Sequence, residues 1–167
     1  MRAAIFFLIL FFSGSLSAQS LAELDKRNGF KDIKLLSKAT DYGSLEFKSE
    51  LKDQEFHAVY NSKNGAYPSL GEASIKSIEI LTYKDLIYQV TVIVDKEPNL
   101  FRGLEKAFGK AKHSVIDNLY HWNTGKVSLT FGAEGKKRLR LVYYAHGIKK
   151  IIQDDKKKKV EDLSSEF

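Results

Sequence analysis

Cysteine is absent from all 167 positions. That excludes disulfide support for a small core, a cysteine-linked lipid anchor, a thiol nucleophile and every thiolate metal site. Histidine is scarce, with His57, His113, His121 and His146 the only four. None has the i, i+4 partner or the H-E-x-x-H context that zinc chemistry uses, so no metal ligands are assigned. There is no G-x-S-x-G elbow, no suitably placed S-x-x-K and no phosphate-binding P-loop, so no catalytic residue is assigned and the reading leans away from an enzyme. No N-x-Ser/Thr glycosylation acceptor occurs either. Adjacent carboxylates such as Asp154-Asp155 sit in a lysine-rich tail and look like solubilising charge. A glycosidase-type pair would come from separated strands.

What the chain does have begins with an apolar run. Arg2 precedes Ala3 to Phe12, which is uninterrupted by charge, and Ser13 to Ala18 is rich in small residues. The run has the length of a signal-peptide core and is too short to span a bilayer as a mature helix. The expectation is a signal peptide over 1–18, cut after Ala18 or, because Leu16 is large, after Ser17; the competing reading is an uncleaved anchor. The mature chain, 149 residues over 19–167, is then one domain without a transmembrane span, exported to the periplasm or secreted. Losing Arg2 lowers the formal charge from +6 to +5, a modest excess with acids interspersed.

The stretch Ile75 to Phe131 carries the strongest patterning. Ile78 and Ile80 oppose Ser77 and Glu79; after Tyr83-Lys84-Asp85, the residues Leu86, Tyr88, Val90, Val92 and Val94 line one face. One apolar and one mixed face is the signature of an antiparallel sheet covered on one side. Pro98 then opens a helix whose stripe is Leu100, Phe101, Leu104, Ala107 and Phe108, with Gly109 as its stop. Tyr120 and Trp122 turn through Asn123-Thr124-Gly125 into Val127, Leu129 and Phe131, and Leu139, Leu141 and Tyr143 follow in a third strand. Upstream, 19–28 reads as a short helix or a loose arm, 29–35 as a first short strand, and 45–60 as two strands around Lys52-Asp53-Gln54. Asn61 to Gly71 is the main loop. From 148 to 167 the spacing of Ile148, Ile151 and Ile152 predicts a C-terminal helix that docks at its start and becomes exposed or frayed, with Asp154 and Asp155 pairing forward to Lys158 and Lys159. The fold class is therefore α+β: a mainly antiparallel meander of about five to seven strands, one amphipathic helix on a face, and a C-terminal helix.

Two groups of residues attract a functional reading. Lys156, Lys157, Lys158 and Lys159 form a candidate contact for an anionic envelope polymer. Consecutive residues wrap around a helix, however, and acids flank the run, so a solvated face is the plainer account; nucleic acid is not expected as a partner. The tyrosines and the single Trp supply core and strand packing, or a binding face. Tyr67, Trp122 and Tyr144 are the candidate binding surface.

The segments GFKDIKL, I-x-x-I-x-x-x-x-Y-x-D-x-I-Y-x-V, LFRGLEKAFGK and YHWNTGKVSLTF, with the lysine-rich end closing on an acidic-Phe pair, resemble uncharacterised small exported bacterial proteins. The resemblance spans most of the mature chain and implies export and architecture, with no active site to transfer. It also implies a glycine after the first strand, where this chain has Leu36. The function expected is a non-catalytic exported module that binds an envelope protein, using no cofactor. The alternative is a small-ligand binder or hydrolase-like enzyme whose pocket is not visible in sequence.

Overall fold

A computed structural model of the chain describes residues 15–165, with side chains from 21 onward. The signal-peptide reading lies almost wholly outside the described residues, as does the closing Glu166-Phe167. The first element, α1 (Ser15–Arg27), settles the open choice over 19–28 in favour of a helix. Leu24 on it is fully buried.

The expected first strand is instead a small hairpin, β1 (Gly29–Phe30) and β2 (Ile33–Lys34), because Lys31 takes a left-handed φ of 52° and reverses the chain. A turn of 3-10 helix at Ala39–Asp41 follows. Next come β3 (Leu45–Glu50), β4 (His57–Ser62), β5 (Ser69–Leu70), β6 (Ala73–Tyr83) and β7 (Leu86–Asp95). The amphipathic helix is α2 (Leu100–Phe108). The second half contains β8 (Lys112–Ser114), β9 (Leu119–Asn123), β10 (Val127–Glu134) and β11 (Arg138–Ala145), and α3 (Ile148–Ser164) closes the fold.

The main sheet is nine-stranded and antiparallel, ordered β3-β4-β6-β7-β11-β10-β9-β8, with β5 paired to β6. It exceeds the expected five to seven strands because β5 and β8, two and three residues long, are too short to show a period. The order has a consequence that no sequence repeat announces. A helix followed by a four-strand meander occurs twice, as α1 with β3, β4, β6 and β7, and as α2 with β8 to β11. The last strands of the two meanders, β7 and β11, pair antiparallel at the centre.

Cross-strand register assigns the faces. Ile80, Val90, Tyr143, Leu129 and Trp122 stand opposite one another across five strands. Leu24 of α1 and Leu100, Leu104 and Phe108 of α2 cover them to form the main core. The α2 stripe is thus the one the spacing predicts, and Gly109 ends the helix at φ 83°. On the other face Ile148 of α3 packs with Tyr83 and Tyr88, joined by half-buried Leu81, Tyr144, Ile151 and Ile152. A bulge at Leu81/Thr82 turns Tyr88 toward that face.

Leu36 stands where a glycine is expected, and its backbone occupies the conformation glycine serves best, φ 63°. Its amide donates to the Ile87 carbonyl at 2.7 Å, which ties the early turn to β7.

Candidate functional site

The predicted aromatic surface does not assemble. Trp122 is 1% exposed and its indole Nε1–H donates to the Gly109 carbonyl at 2.7 Å, so it belongs to the core and offers nothing to a partner. Alternation alone cannot say whether a Trp in a strand faces a helix or water; here α2 lies over it, with the Phe108 ring 6.4 Å away. Tyr67 is half-buried against the same core, its hydroxyl shared with Ser44 at 2.8 Å and its ring edge-on to Phe30. Tyr144 lies on the opposite face, half-buried beside Tyr88 and α3.

The lysine run fares differently. Lys156, Lys158 and Lys159 border a cleft of about 850 Å³ between α3 and the ends of β4 and β6, whereas Lys157 is absent from its lining. The helix angle explains the split: at 100° per residue the stripe of Ile152, Asp155, Lys156, Lys159 and Leu163 stays on one side, and Lys157 projects away. The expected i, i+4 pairing does not form: Asp155 bonds to the β6–β7 turn instead, and among the described residues Asp154 makes no ion pair. Asp155 takes Lys84 Nζ at 2.8 Å, and Lys159 pairs with Glu55 at 3.2 Å.

Two turns at one end of the sheet form the cleft's other wall. The β6–β7 hairpin turns through Lys84 and Asp85, at φ 46° and 68°. Two consecutive left-handed residues make the tight hairpin turn that Asn-Gly usually supplies. Side chains hold it in place: the Asp85 carboxylate accepts from the Thr40 hydroxyl, from the Thr40 amide at 3.3 Å and from the Tyr60 hydroxyl at 3.3 Å. The neighbouring β3–β4 connection carries Asp53 at φ 60° and Phe56 at φ 66°. A bulky aromatic in the left-handed region is an outlier, and such strain persists only where surrounding structure enforces it. The Lys84 amide donates to the Phe56 carbonyl at 2.8 Å, locking the two turns together. Phe56 nevertheless remains 52% exposed, edge-on to Tyr83 and beneath the Lys84 ammonium at 5.1 Å.

The titratable groups of this cleft are coupled. The Lys84 ammonium and then the Tyr83 hydroxyl hold the Asp155 carboxyl below its ordinary range, and Asp155 in turn raises Lys84. Burial, then Asp155, pushes the Tyr83 phenol up. His57, whose Nδ1 lies 3.3 Å from the Tyr88 hydroxyl, is shifted down by burial and by the Lys156 charge. Asp155 is therefore an engaged anion and His57 a neutral imidazole. Neither is arranged as a general acid with an opposed nucleophile. His57 and His121 do not converge: β4 and β9 stand near opposite ends of the strand order. Among the described residues no group of three or more His, Asp or Glu side chains could hold a metal ion.

The rim mixes signs. Lys84, Lys156, Lys158 and Lys159 face Asp53, Glu55, Asp155 and Asp162, and the exposed apolar side chains are Phe56, Leu163 at 52% and, one turn away, Val160 at 66%. Sequence reasoning missed Phe56, His57, Tyr83, Lys84 and Asp155 as neighbours. The available signal was Lys84-Asp85 at a two-residue hairpin turn where glycine chemistry is the rule.

No family model matches the chain, and neither a curated protein nor a solved structure matches it.

Proposed function

We propose that the chain is an exported, non-catalytic module that binds a protein partner through the cleft between α3 and the β3–β4 and β6–β7 turns. The apolar run and small residues of 1–18 support the exported part of this reading. One observation carries the binding part: Phe56 is kept half-exposed on a left-handed backbone, at a conformational cost of roughly 1–3 kcal/mol. Burying an aromatic would repay that strain through packing, yet this one faces water beside Leu163. An aromatic and an aliphatic anchor inside a rim of both charge signs match the anatomy of a protein interface. The balance of four lysines by four carboxylates around the cleft disfavours an anionic polymer as the ligand.

The test is site-specific photo-crosslinking in the exporting cell. A photoreactive residue at position 163 is expected to capture one protein, with capture persisting at high salt, while the same residue at position 136, on the β10–β11 turn, captures none. Phe56→Gly, which relieves the backbone strain and preserves the fold, is expected to abolish capture. Undiminished capture in Phe56→Gly would remove the proposed anchor and the reading with it.

A further inference from the structure

A second opening lies on the other face of the sheet, where α1, β1, the turn at 70–72 and α2 meet. It is a half-open cavity of about 660 Å³, within the roughly 300–1,000 Å³ typical of small-molecule sites. Its walls are apolar and belong to the core: Phe30, Leu100, Leu104 and Phe108.

Two independent features make this opening more than a packing defect. The first is Tyr143. Its side chain is 4% exposed and reaches the cavity, and among the described residues no hydrogen bond to its hydroxyl is formed. The hydroxyl is not sealed off like His121 Nε2 and His146 Nε2, which are buried without a hydrogen-bond partner; it opens onto the cavity, where water or a ligand group can reach it. Burial raises the phenol's pKa, so the group stays a neutral donor. The second is Gly103, in the interior of α2. Glycine weakens a helix relative to alanine, and here packing does not require it, because a Cβ at this position would meet nothing within 4 Å. Gly103 is exposed and lines the mouth of the opening, so a side chain added here would project across that mouth.

The mouth carries two cations and two acids, so placement, not net charge, favours an acidic head group. Arg27 lies over the Phe108 ring at 5.3 Å, and its field is felt at the Tyr143 hydroxyl. Its Nε–H donates to Glu23 at 3.0 Å, which leaves the terminal guanidinium N–H groups available. Lys31 donates to the Ser69 carbonyl at 2.8 Å and keeps further protons free. Of the two acids on the rim, Glu97 accepts the Asn99 amide at the start of α2, and Glu72 sits on the outer turn. The polar end of the cavity therefore joins a buried neutral donor to a cation.

We infer that this cavity binds a small amphipathic carboxylate, its head group accepting the Tyr143 hydroxyl beside Arg27 and its apolar body lying against Phe30, Leu100, Leu104 and Phe108. The inference is separate from the protein-binding cleft, which lies on the other face of the sheet.

The single Trp provides the readout, since Trp122 packs on Phe108. The exported protein is titrated with dodecanoate, dodecanol and dodecylamine below their aggregation limits, following Trp122 emission and the heat of binding. Dodecanoate is expected to bind at least about tenfold more tightly than the amine, because the same hydroxyl and cation favour an anion. Tyr143→Phe is expected to weaken dodecanoate about tenfold, the ordinary effect of losing a hydrogen bond to a charged group. Gly103→Leu should eliminate binding while raising the melting temperature, because the side chain enters open space on a helix it favours. Phenylbutyrate in place of dodecanoate tells an aryl from an alkyl acid, and binding of either supports the inference. Three results would overturn it: equal binding of amine and acid, undiminished binding by Gly103→Leu, or no binding of any acid by folded wild-type protein. Crosslinking from position 163 should be the same in Gly103→Leu and wild type, so failure here leaves the protein-binding reading to its own test.

Discussion

The two helix-plus-meander halves solve the same turns with different chemistry. In the middle connections both use glycine: Gly65 and Gly71 in the first half, Gly125 in the second, all with φ between 60° and 87°. The final hairpins diverge. β10–β11 turns at Gly135, φ 67°, where a left-handed backbone carries no Cβ penalty. β6–β7 makes its turn with Lys84 and Asp85, and the adjoining β3–β4 connection uses Asp53 and Phe56. These two turns of the first meander wall the cleft beside α3, whereas other non-glycine left-handed turn residues, Lys31 between β1 and β2 and Asn118 between β8 and β9, lie away from it. Equivalent places in a repeated fold thus separate the turn that only needs geometry from the turn whose side chains are needed for something else.

The largest effect expected from breaking this comparison comes from the half with the simpler turns. Trp122→Ala should cost about 3–5 kcal/mol in urea unfolding, through the cavity it leaves and the orphaned Gly109 carbonyl. It should act on the whole sheet, because Trp122 sits in the cross-strand row that runs through β7 and β11 to Ile80. A loss below about 1 kcal/mol would mean that the second meander is not stabilised from beneath α2.

The turns themselves give the intermediate effect. Gly135→Ala is expected to lose about 1 kcal/mol, since nothing lies within 4 Å of the new Cβ and only the backbone conformation opposes it. Lys84→Gly should leave the urea midpoint nearly unchanged: relief of the left-handed strain is offset by the entropy glycine adds to the unfolded chain and by loss of the exposed ion pair to Asp155. Asp85→Gly should instead lose about 1–2 kcal/mol, because the hydrogen bonds from Thr40 and Tyr60 go with the carboxylate. If the three substitutions had equal effects, the two hairpins would differ only in sequence.

The same contrast explains what was legible in the sequence. Where one face was buried and the ladder regular, alternation was enough: Val90, Val92 and Val94, the α2 stripe and Ile148 are where their spacing puts them, because period and burial agree, whereas Tyr88, expected beside Val90, is turned to the other face by the bulge at Leu81/Thr82. The α+β class followed from that agreement. Short strands escaped, since two residues at Ser69–Leu70 carry no period. Trp122 was misplaced because alternation gives a face without naming what covers it. The cleft was hidden for a stronger reason. Phe56, Lys84 and Asp155 come from three distant segments, and Asp155 exchanged its local lysine partners for Lys84 on the sheet. The lysine run was visible as composition, but only the helix docking divides Lys157 from Lys156, Lys158 and Lys159.

The smallest effect expected is a pH dependence confined to the strained half. Burial, aided by the charge of Lys156, depresses the His57 pKa below its ordinary 6.5. Below pH 6.5 the unfolded chain then binds more protons at this residue than the folded one, so the stability contributed by neutral His57 is complete above pH 6.5 and is lost as pH falls through the folded value. The groups facing it are Tyr83 and Tyr88 from the sheet and Lys156 from α3, and a protonated imidazole would add a cation beside that lysine. Asp155, held low by Lys84 and Tyr83, works in a separate window: its contribution is present above its ordinary 3.8 and disappears only as pH falls through its depressed value. His57→Gln should therefore flatten the urea midpoint just below pH 6.5 and leave the more acidic limb unchanged, whereas Asp155→Asn should alter only that acidic limb. The shift in midpoint for His57→Gln is expected to be small, because the ring is only half-buried. If the slope just below pH 6.5 is the same in wild type and His57→Gln, the proton uptake arises elsewhere, and α3 is not held against the strained turns by a neutral imidazole.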